Sequence, residues 1–359
     1  MRGGAELSSP GRGRRVVDLG ELALLARIAE RVGVPGGPVV CGIGDDAAAV
    51  RPTPGALVLM TTDALVEDVH FRRATSAPGD VGWKALAINA SDIAAMGGTP
   101  KHAVVSLMLP GDLEAAWVDG LYDGLLEMAQ EAGIAVVCGN LAQAPAIIVD
   151  VALLGEVEPD CLVRRTGARL GDLVAVTGML GRAAAGLLAL EAGSGDQGRR
   201  GGSGPPGSDS AWAQAVAAQR RPRPRLAEGR ALAATRALRA MIDLSDGLAL
   251  DLWRLCEAGG LGVRLDAERI PVDASAAAIA EATGRQPLDL ALHGGEDYEL
   301  LFAVSPADAD RVLERLAQQT GTAATVIGAF TESSVGRTIV RGDERRPLEP
   351  AGWTHFRRA

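Results

Sequence analysis

Four short acidic turns constrain this 359-residue chain more than any other feature. They read Gly44-Asp45-Asp46, Thr61-Thr62-Asp63, Ile242-Asp243-Leu244-Ser245-Asp246-Gly247 and Gly294-Gly295-Glu296-Asp297. Carboxylates gathered on tight turns repel one another, and the chain has almost no lysine to balance them. Hard cations take carboxylate and hydroxyl oxygens as ligands. We therefore expect several such cations to lie between these turns and a polyphosphate.

The composition favours a folded two-domain protein and argues against several kinds of partner. With 47% hydrophobic residues the chain can bury one large core or two medium ones. Its net charge of −9 argues against nucleic acid, whose phosphate backbone needs a basic face. No apolar run approaches the roughly 20 residues of a membrane span, and no signal-peptide pattern opens the chain. The cysteines, Cys41, Cys138, Cys161 and Cys256, form no paired motif, so we expect reduced thiols and a cytoplasmic protein.

The first half of the chain alternates strand and helix patterns. Apolar runs predict strands at 39–40, 56–61, 102–109 and 146–154, and amphipathic spacing predicts helices at 81–96 and 115–132. In the first of these helices, Asn89 and Asp92 share a face. Gly133 is expected to end the second helix in a left-handed conformation.

The second half begins after a pause in the pattern near 155–159. Strands are predicted at 173–177, 240–243 and 299–304, and a helix at 248–256 with Ser245 or Asp246 as its N-cap. Residues 192–209 are rich in Gly and Ser without an apolar period, which predicts a flexible surface insertion. We therefore divide the chain into a disordered tail (1–17), an N-terminal domain (18–155) and a C-terminal domain (156–359).

Each acidic motif also has a purely structural interpretation. The turn at Asp45 and Asp46 is ordinary when taken alone, and Asp92 could simply solvate a helix. A helix cap explains Ser245 or Asp246 but leaves Asp243 unexplained, which favours a function for that segment. The segment 294–299 has three acids beside a buried strand, more than a turn needs.

The usual phosphate-binding motifs are missing from the sequence. It contains no GxxxxGK[ST] loop, no continued dinucleotide fingerprint and no protein-kinase motif set. A nucleotide site in this chain must therefore rest on metal ions held by carboxylates.

Taken in order, the motifs resemble those of the thiamine-monophosphate kinase family, within the wider group of aminoimidazole ribonucleotide synthetase and selenophosphate synthetase. The resemblance extends from about residue 18 to the C-terminus. It rests on Gly42-Ile43-Gly44-Asp45-Asp46, Thr62-Asp63 with His70-Phe71, Lys84-Ala85-Leu86-Ala87-Ile88-Asn89-Ala90-Ser91-Asp92-Ile93-Ala94-Ala95-Met96-Gly97, Ile242-Asp243-Leu244-Ser245-Asp246-Gly247 and Gly294-Gly295-Glu296-Asp297-Tyr298-Glu299-Leu300.

This resemblance implies an α/β (α+β) fold of two domains. The N-terminal sheet domain would bind ATP and magnesium and dimerise through its sheet, and the C-terminal domain would have αβα layers. The implied activity transfers the γ-phosphoryl group of ATP to thiamine monophosphate with the help of several Mg²⁺ ions. The implied metal ligands are Asp46, Thr61, Thr62, Asp63, Asp92, Asp243 and Asp246, with Asp45 nearby. ATP would contact Tyr122, Gly139, Asn140, Arg165 and Ser245, and the thiamine phosphate would contact His70, Glu296 and Trp353.

The implied chemistry needs no catalytic acid or base. A phosphate monoester has a second pKa near 6, so the attacking oxygen is already deprotonated at neutral pH. The difficulty is to align two polyanions, which cations and positioning solve. We therefore expect direct transfer without a phosphoenzyme.

Two departures from the family pattern leave alternatives open. Cys138-Gly139-Asn140 stands where the family often has Gly-Gly-Asp, and Asn140 offers an oxygen without a charge. The insertion at 192–209 is the second departure. Its length suggests an additional surface loop without a catalytic role. One alternative is a related ATP-dependent enzyme with another acceptor. The other is a nucleotide-binding paralogue without catalysis.

Overall fold

The computed structural model describes residues 14–33, 36–194 and 209–355. Most of the predicted tail, residues 1–13, and most of the predicted insertion, residues 195–208, lie outside the described residues. The predicted tail extends to residue 17, whereas the described residues begin at Arg14 and a helix begins at Val16. The Val16 N–H donates to the Leu113 carbonyl, and the Ala115 N–H donates to the Arg14 carbonyl. These bonds tie the start of the helix to the N-terminal domain.

The first part of the chain contains four helices and six strands within the described residues. In chain order they are α1 (Val16–Leu19), α2 (Glu21–Val32), β1 (Val39–Cys41), β2 (Ala49–Val50), β3 (Leu57–Val66), α3 (Pro78–Ala95), β4 (Thr99–Leu109), α4 (Ala115–Ala132), β5 (Ala135–Gln143) and β6 (Ile148–Val157). The predicted domain boundary at 155/156 falls inside β6. That strand continues to Val157 because Val157 still pairs with Leu57.

The second part contains seven helices and seven strands within the described residues. They are β7 (Leu173–Thr177), α5 (Arg182–Ser194), α6 (Asp209–Arg220), α7 (Leu226–Ala233), β8 (Leu238–Asp243), α8 (Leu248–Gly259), β9 (Gly262–Asp266), α9 (Ala274–Ala282), α10 (Pro287–His293), β10 (Leu300–Val304), α11 (Ala309–Thr320), β11 (Ala324–Thr331), β12 (Arg337–Arg341) and β13 (Glu344–Pro347). Three-residue 3₁₀ helices lie at 159–161, 267–269 and 333–335.

The N-terminal sheet has the strand order β3-β6-β4-β5, in which only β4 and β5 run parallel. Helix α3 packs against β3 and β6, and α4 packs against α3. Side chains alternate along β3, so Leu59 and Leu65 are buried while Val58 and Met60 are exposed. The sheet therefore has one face covered by helices and one open face.

The C-terminal sheet has seven strands in the order β13-β12-β9-β11-β7-β10-β8. Along β10, Leu300 and Phe302 join a hydrophobic cluster with α7 and α11. The alternate residues Leu301 and Ala303 join a second cluster with α8 and α10. Helices thus cover both faces of the central strands, as the predicted αβα layers require.

One hydrophobic core joins the two sheets. The cluster that contains Leu86 and Ile93 of α3 also contains Met241 of β8 and Phe302 of β10. Helix α3 is buried along nearly its whole length, because it lies between the N-terminal sheet and elements of the C-terminal part. This burial fixes α3 relative to β8, and both elements carry predicted metal ligands. Among the described residues, no helix is both long and apolar enough to cross a membrane.

The contact between α3 and α4 gives a first prediction. A Cβ atom at Gly82 would lie 1.9 Å from the Leu121 carbonyl oxygen, so the two helices would have to separate. We expect Gly82→Ala to lower the free energy of unfolding by about 2–3 kcal/mol, measured by urea unfolding. Gly193→Ala in α5 is the matched control, because no atom of the described residues lies within 4 Å of its Cβ position. An equal effect of both substitutions would contradict this packing.

Candidate active site

A cleft of about 1220 Å³ lies where the two parts of the chain meet. The C-terminal end of β3, the loop that follows it and α3 form its N-terminal side. The segments after β8 and before β10, together with the ends of α5 and α6, form its C-terminal side. Nine of the predicted site residues line it: Asp63, His70, Asp92, Arg165, Asp243, Ser245, Asp246, Glu296 and, from the C-terminal segment, Trp353.

Strand β3 and helix α3 bring three predicted ligands together. Thr61 Oγ1 donates a hydrogen bond of 2.5 Å to Asp92 Oδ2. Asp63, two residues further along β3, lies on the same side of the sheet and lines the cleft. The sequence placed these side chains on separate elements, and the packing of α3 against β3 makes them neighbours.

The turn after β8 supplies carboxylates from the C-terminal part. Asp243 ends β8 with only 3% of its surface exposed, and its Oδ2 accepts a 2.7 Å hydrogen bond from Ser91 of α3. Asp246 forms an ion pair of 2.5 Å with Arg254 of α8. Asp251 accepts a hydrogen bond from the Asp246 N–H and forms an ion pair with Arg254. These two contacts hold the turn in place.

The predicted N-cap of this helix is wrong. Helix α8 begins after Gly247, and neither Ser245 nor Asp246 caps it with a side chain. Gly247 has a φ of 114°, and a Cβ atom there would lie 2.9 Å from the Leu292 carbonyl oxygen. Ser245 and Asp246 are therefore free of capping and line the cleft.

Burial raises the pKa values of three of these carboxyl groups, and repulsion between carboxylates adds to the effect at two of them. Burial, followed by repulsion from Asp92 and Asp246, raises the pKa of Asp63 to about 7. Burial, followed by repulsion from Asp92, raises the pKa of Asp243 to about 8. Burial also raises the pKa of Asp92, against the effects of the Thr61 hydrogen bond and Arg165. Carboxylates held together at this cost are a donor set that fits a divalent cation.

The protein side chains alone do not form a finished metal cage. Over residues 14–33, 36–194 and 209–355, no three His, Cys, Asp or Glu side chains converge into a metal-binding group. A phosphate chain and water would have to supply the remaining oxygens, as is usual for magnesium.

The rings of His70, Trp353 and His355 also line the cleft. His70 and Trp353 have ring centroids 6.3 Å apart, and His355 lies 5.3 Å from His70. The Val66 N–H donates to His70 Nδ1, and burial lowers the pKa of His70. Neutral His70 therefore carries its proton on Nε2 and can donate to a ligand.

The three acids at 294–299 have three different roles. Glu296 lines the cleft and forms a 2.5 Å ion pair with Lys84. Asp297 accepts hydrogen bonds from the Gly181 and Ala183 N–H groups at the start of α5. Glu299 forms a two-bond ion pair with Arg225. Of these three acids, only Glu296 lines the cleft and can contact a ligand. Asp297 and Glu299 have structural roles.

Several predicted site residues lie outside the cleft. Asp45 and Asp46 lie in an exposed loop after β1, and Thr62 points to the open sheet face, where it donates to Asp150. Gly139 and Asn140 belong to β5. This strand forms the opposite edge of the same sheet, and β6 and β4 lie between it and β3. Tyr122 belongs to α4 and is buried in the core, and this burial raises its pKa.

The sequence did not predict some of the residues that line the cleft. Lys84 is one of them, although a lysine within an otherwise apolar helix segment indicates a buried charge that needs a partner. Leu187 and Leu190 of α5 and Gln219 and Arg220 of α6 form one wall of the cleft. The helices that flank the predicted insertion therefore belong to the site.

Comparisons with known proteins agree with this architecture. Residues 44–157 match the model of the AIR synthase related protein N-terminal domain, and residues 169–341 match that of the C-terminal domain. The thiamine-monophosphate kinase of Bacillus subtilis is 34% identical over 319 residues, which cover 88% of this chain and 93% of that protein.

Solved structures show the same relationship. The thiamine-monophosphate kinase from Stenotrophomonas maltophilia superposes with a TM-score of 0.75 at 31% identity, covering 89% of this chain and 96% of that one. AaThiL complexed with AMPPCP and TMP superposes with a TM-score of 0.71 at 32% identity, covering 96% of this chain and 99% of that one. The chain therefore belongs to the thiamine-monophosphate kinase family of AIR synthase related proteins.

Proposed function

We propose that this chain transfers the γ-phosphoryl group of ATP to thiamine monophosphate, forming thiamine diphosphate and ADP. One observation carries the proposal: a single cleft is lined by carboxylates from both parts of the chain and by the rings of His70 and Trp353. The related AaThiL structure holds AMPPCP and TMP. Because the reaction consumes ATP, we further propose a cytoplasmic enzyme.

Magnesium would bind at the carboxylates that line the cleft. Asp63, Asp92, Asp243 and Asp246 would hold it, with Thr61 beside them, because burial raises the pKa values of Asp63, Asp92 and Asp243 and a divalent cation would stabilise their charged forms. The bound ions would neutralise the phosphates of both substrates. Asp46, Thr62 and Asn140 do not line the cleft. Asp46 and Thr62 remain predicted metal ligands, and Asn140 remains a predicted ATP contact.

The protein's own residues would orient the two substrates. Arg165 and Ser245 line the cleft, and a guanidinium and a hydroxyl suit the ATP phosphates. Tyr122 and Gly139 do not line the cleft and remain predicted ATP contacts. His70, Trp353 and Glu296 also line the cleft, and rings and a carboxylate suit a cationic heterocycle.

The proposed transfer is direct. The acceptor phosphate oxygen is deprotonated at neutral pH, so it can attack the γ-phosphorus while the bond to the β-γ bridging oxygen breaks and ADP leaves. No side chain in the cleft has to accept a proton or a phosphoryl group. The enzyme contributes alignment and charge.

We also propose a homodimer. The open face of the N-terminal sheet exposes Val58 and Met60, the latter with 80% of its surface accessible. Apolar side chains in a row on a sheet face favour burial against another surface. A second copy of the same face is the occupant that the family resemblance implies.

A coupled assay for ADP release tests the proposed activity. With ATP and magnesium in excess, we expect rapid ADP release with thiamine monophosphate and only background release with thiamine, other phosphate monoesters or no acceptor. Preference for another monoester would favour a related enzyme with a different acceptor. ATP binding by calorimetry without any ADP release would favour the paralogue without catalysis.

A further inference from the structure

Lys84 is a buried cation at the boundary between the two parts of the chain. It is one of two lysines among 36 lysine and arginine residues, and only 4% of its surface is exposed. Its Nζ lies 2.5 Å from Glu296 Oε1 and donates a 3.2 Å hydrogen bond to the Gln219 carbonyl. Lys84 therefore joins α3, the end of α6 and the segment before β10 at one point of the cleft.

Glu296 is held in an uncommon backbone conformation. Its φ is 59°, in the left-handed region that non-glycine residues rarely adopt. Its N–H donates to the Ser245 carbonyl at 2.8 Å, so the backbone of Glu296 is tied to the turn that carries Asp246. Such a conformation is strained and persists only where neighbours hold it. Lys84 and Ser245 are two of those neighbours.

The ion pair leaves part of the Glu296 carboxylate for a ligand. Lys84 engages Oε1, and 28% of the Glu296 side chain is exposed to the cleft. A carboxylate has a second oxygen that can accept an N–H or lie beside a cation. If Lys84 lost its charge, Glu296 would face a largely buried site without its counter-ion, which favours rotation away or protonation.

We infer that Lys84 is a positioning residue that fixes Glu296 to recognise the amine-bearing, cationic ring system of the acceptor. The inference rests on the proposed function, because it assigns thiamine monophosphate to the part of the cleft around His70, Trp353 and Glu296. Lys84 acts through Glu296 and serves acceptor binding. The Lys84–Glu296 ion pair includes none of the predicted ATP contacts, so we expect its loss to change the affinity for ATP much less than the affinity for the acceptor.

Steady-state kinetics of the full chain test the inference. We expect Lys84→Met and Glu296→Gln each to raise the KM for thiamine monophosphate by about tenfold or more, with the KM for ATP changed less than about twofold. The double variant should be no worse than either single variant, since both remove one interaction. Lys101→Met, at the only other lysine, is the matched control and should leave both KM values unchanged.

Two outcomes overturn the inference. One is a multiplicative effect in the double variant, which would make the two residues independent. The other is an equal rise of both KM values in Lys84→Met, which would indicate a general structural role. If Lys84→Met does not fold, Lys84→Arg replaces it. This variant keeps the charge and should raise only the acceptor KM, by about threefold, because the larger head displaces Glu296.

Nuclear magnetic resonance of lysine labelled with ¹³C at Cε separates this inference from the proposed activity. Two lysines give two side-chain signals, which Lys101→Arg assigns. We expect the Lys84 signal to shift in Glu296→Gln and on addition of thiamine monophosphate without ATP. Unchanged signals would overturn the pairing with Glu296. A shift without any ADP release in the assay would support acceptor binding and refute the proposed transfer.

Discussion

Asp63→Asn is expected to lower kcat by about 10²–10³ at saturating ATP and limiting magnesium. The substitution keeps the size of the side chain and removes one charge from the centre of the acidic cleft. Asp63 lies beside Asp92 and Asp246, whose repulsion helps to raise its pKa to about 7. In the absence of cations, the repulsion between Asp63 and its neighbouring carboxylates lowers the stability of the folded protein. Protein stability therefore does not explain an aspartate at this position.

The measurement is kcat as a function of magnesium concentration. In Asp63→Asn the magnesium dependence should shift to higher concentrations, since a neutral amide oxygen is a weaker ligand. Asp310→Asn in α11 is the matched control, because this aspartate is exposed and outside the cleft. An unchanged rate of Asp63→Asn at limiting magnesium would remove Asp63 from the metal site.

Asp243→Asn should have two opposite effects. Activity should fall by a similar factor, because this carboxylate comes from the C-terminal side of the cleft. The metal-free protein should at the same time become more stable near pH 8. Asp243 is almost fully buried, and an asparagine oxygen can still accept the hydrogen bond from Ser91.

The pH dependence of this stability gain follows from the raised pKa. The folded pKa of Asp243 is about 8, and its ordinary value is 3.8. Between these values the folded state binds more protons than the unfolded state, so the contribution of Asp243 to stability falls as pH rises. Below the unfolded pKa the contribution is fully present, and above the folded pKa it is lost. The advantage of Asn over Asp should therefore grow between about pH 4 and pH 8.

Thermal unfolding with and without magnesium checks this prediction. Near pH 8 the Tm of metal-free Asp243→Asn should exceed that of the wild type, and magnesium should raise the wild-type Tm more than that of the variant. Near pH 5 the difference between the metal-free proteins should be smaller. A pH-independent difference, or equal stabilisation of both proteins by magnesium, would contradict the assignment.

The elements that sequence predicts best are those with strong local patterns. The strand at 173–177 and the helix at 115–132 have the predicted bounds, and Gly133 ends that helix in a left-handed conformation as expected. Apolar runs bounded by glycine, and a helical stripe before a glycine, depend on local physics alone. Bounds at 56–61 and 240–243 were less accurate, because strand pairing extends β3 to Val66 and β8 back to Leu238.

The roles of the acidic residues depended on tertiary packing. Sequence placed Asp92, Asp243 and Glu296 in function-like motifs, and the fold brings them to one cleft. It did not separate Glu296 from Asp297, because only the packing of α5 shows that Asp297 accepts helix N–H groups. The role of Lys84 was equally hidden, since its partner lies more than two hundred residues away in the chain.

The position of Asn140 follows from sheet order, which the motifs alone could not supply. Asn140 pairs with Ser106 on β4, which in turn pairs with Asp150 on β6. Strand alternation does place Thr62 and Asp63 on opposite faces of β3, and this was predictable from their adjacency. The family resemblance implies that both residues are metal ligands, because a resemblance between motifs gives the role of a residue but not the face of the sheet on which its side chain lies.

The fate of the γ-phosphoryl group tests the proposed direct transfer. The full chain is incubated with γ-³²P-labelled ATP, thiamine monophosphate and magnesium, and the products are separated by chromatography. We expect label in thiamine diphosphate, with one ADP formed for each molecule and no labelled protein. Label that appears only in inorganic phosphate, in the protein or in no product would contradict it.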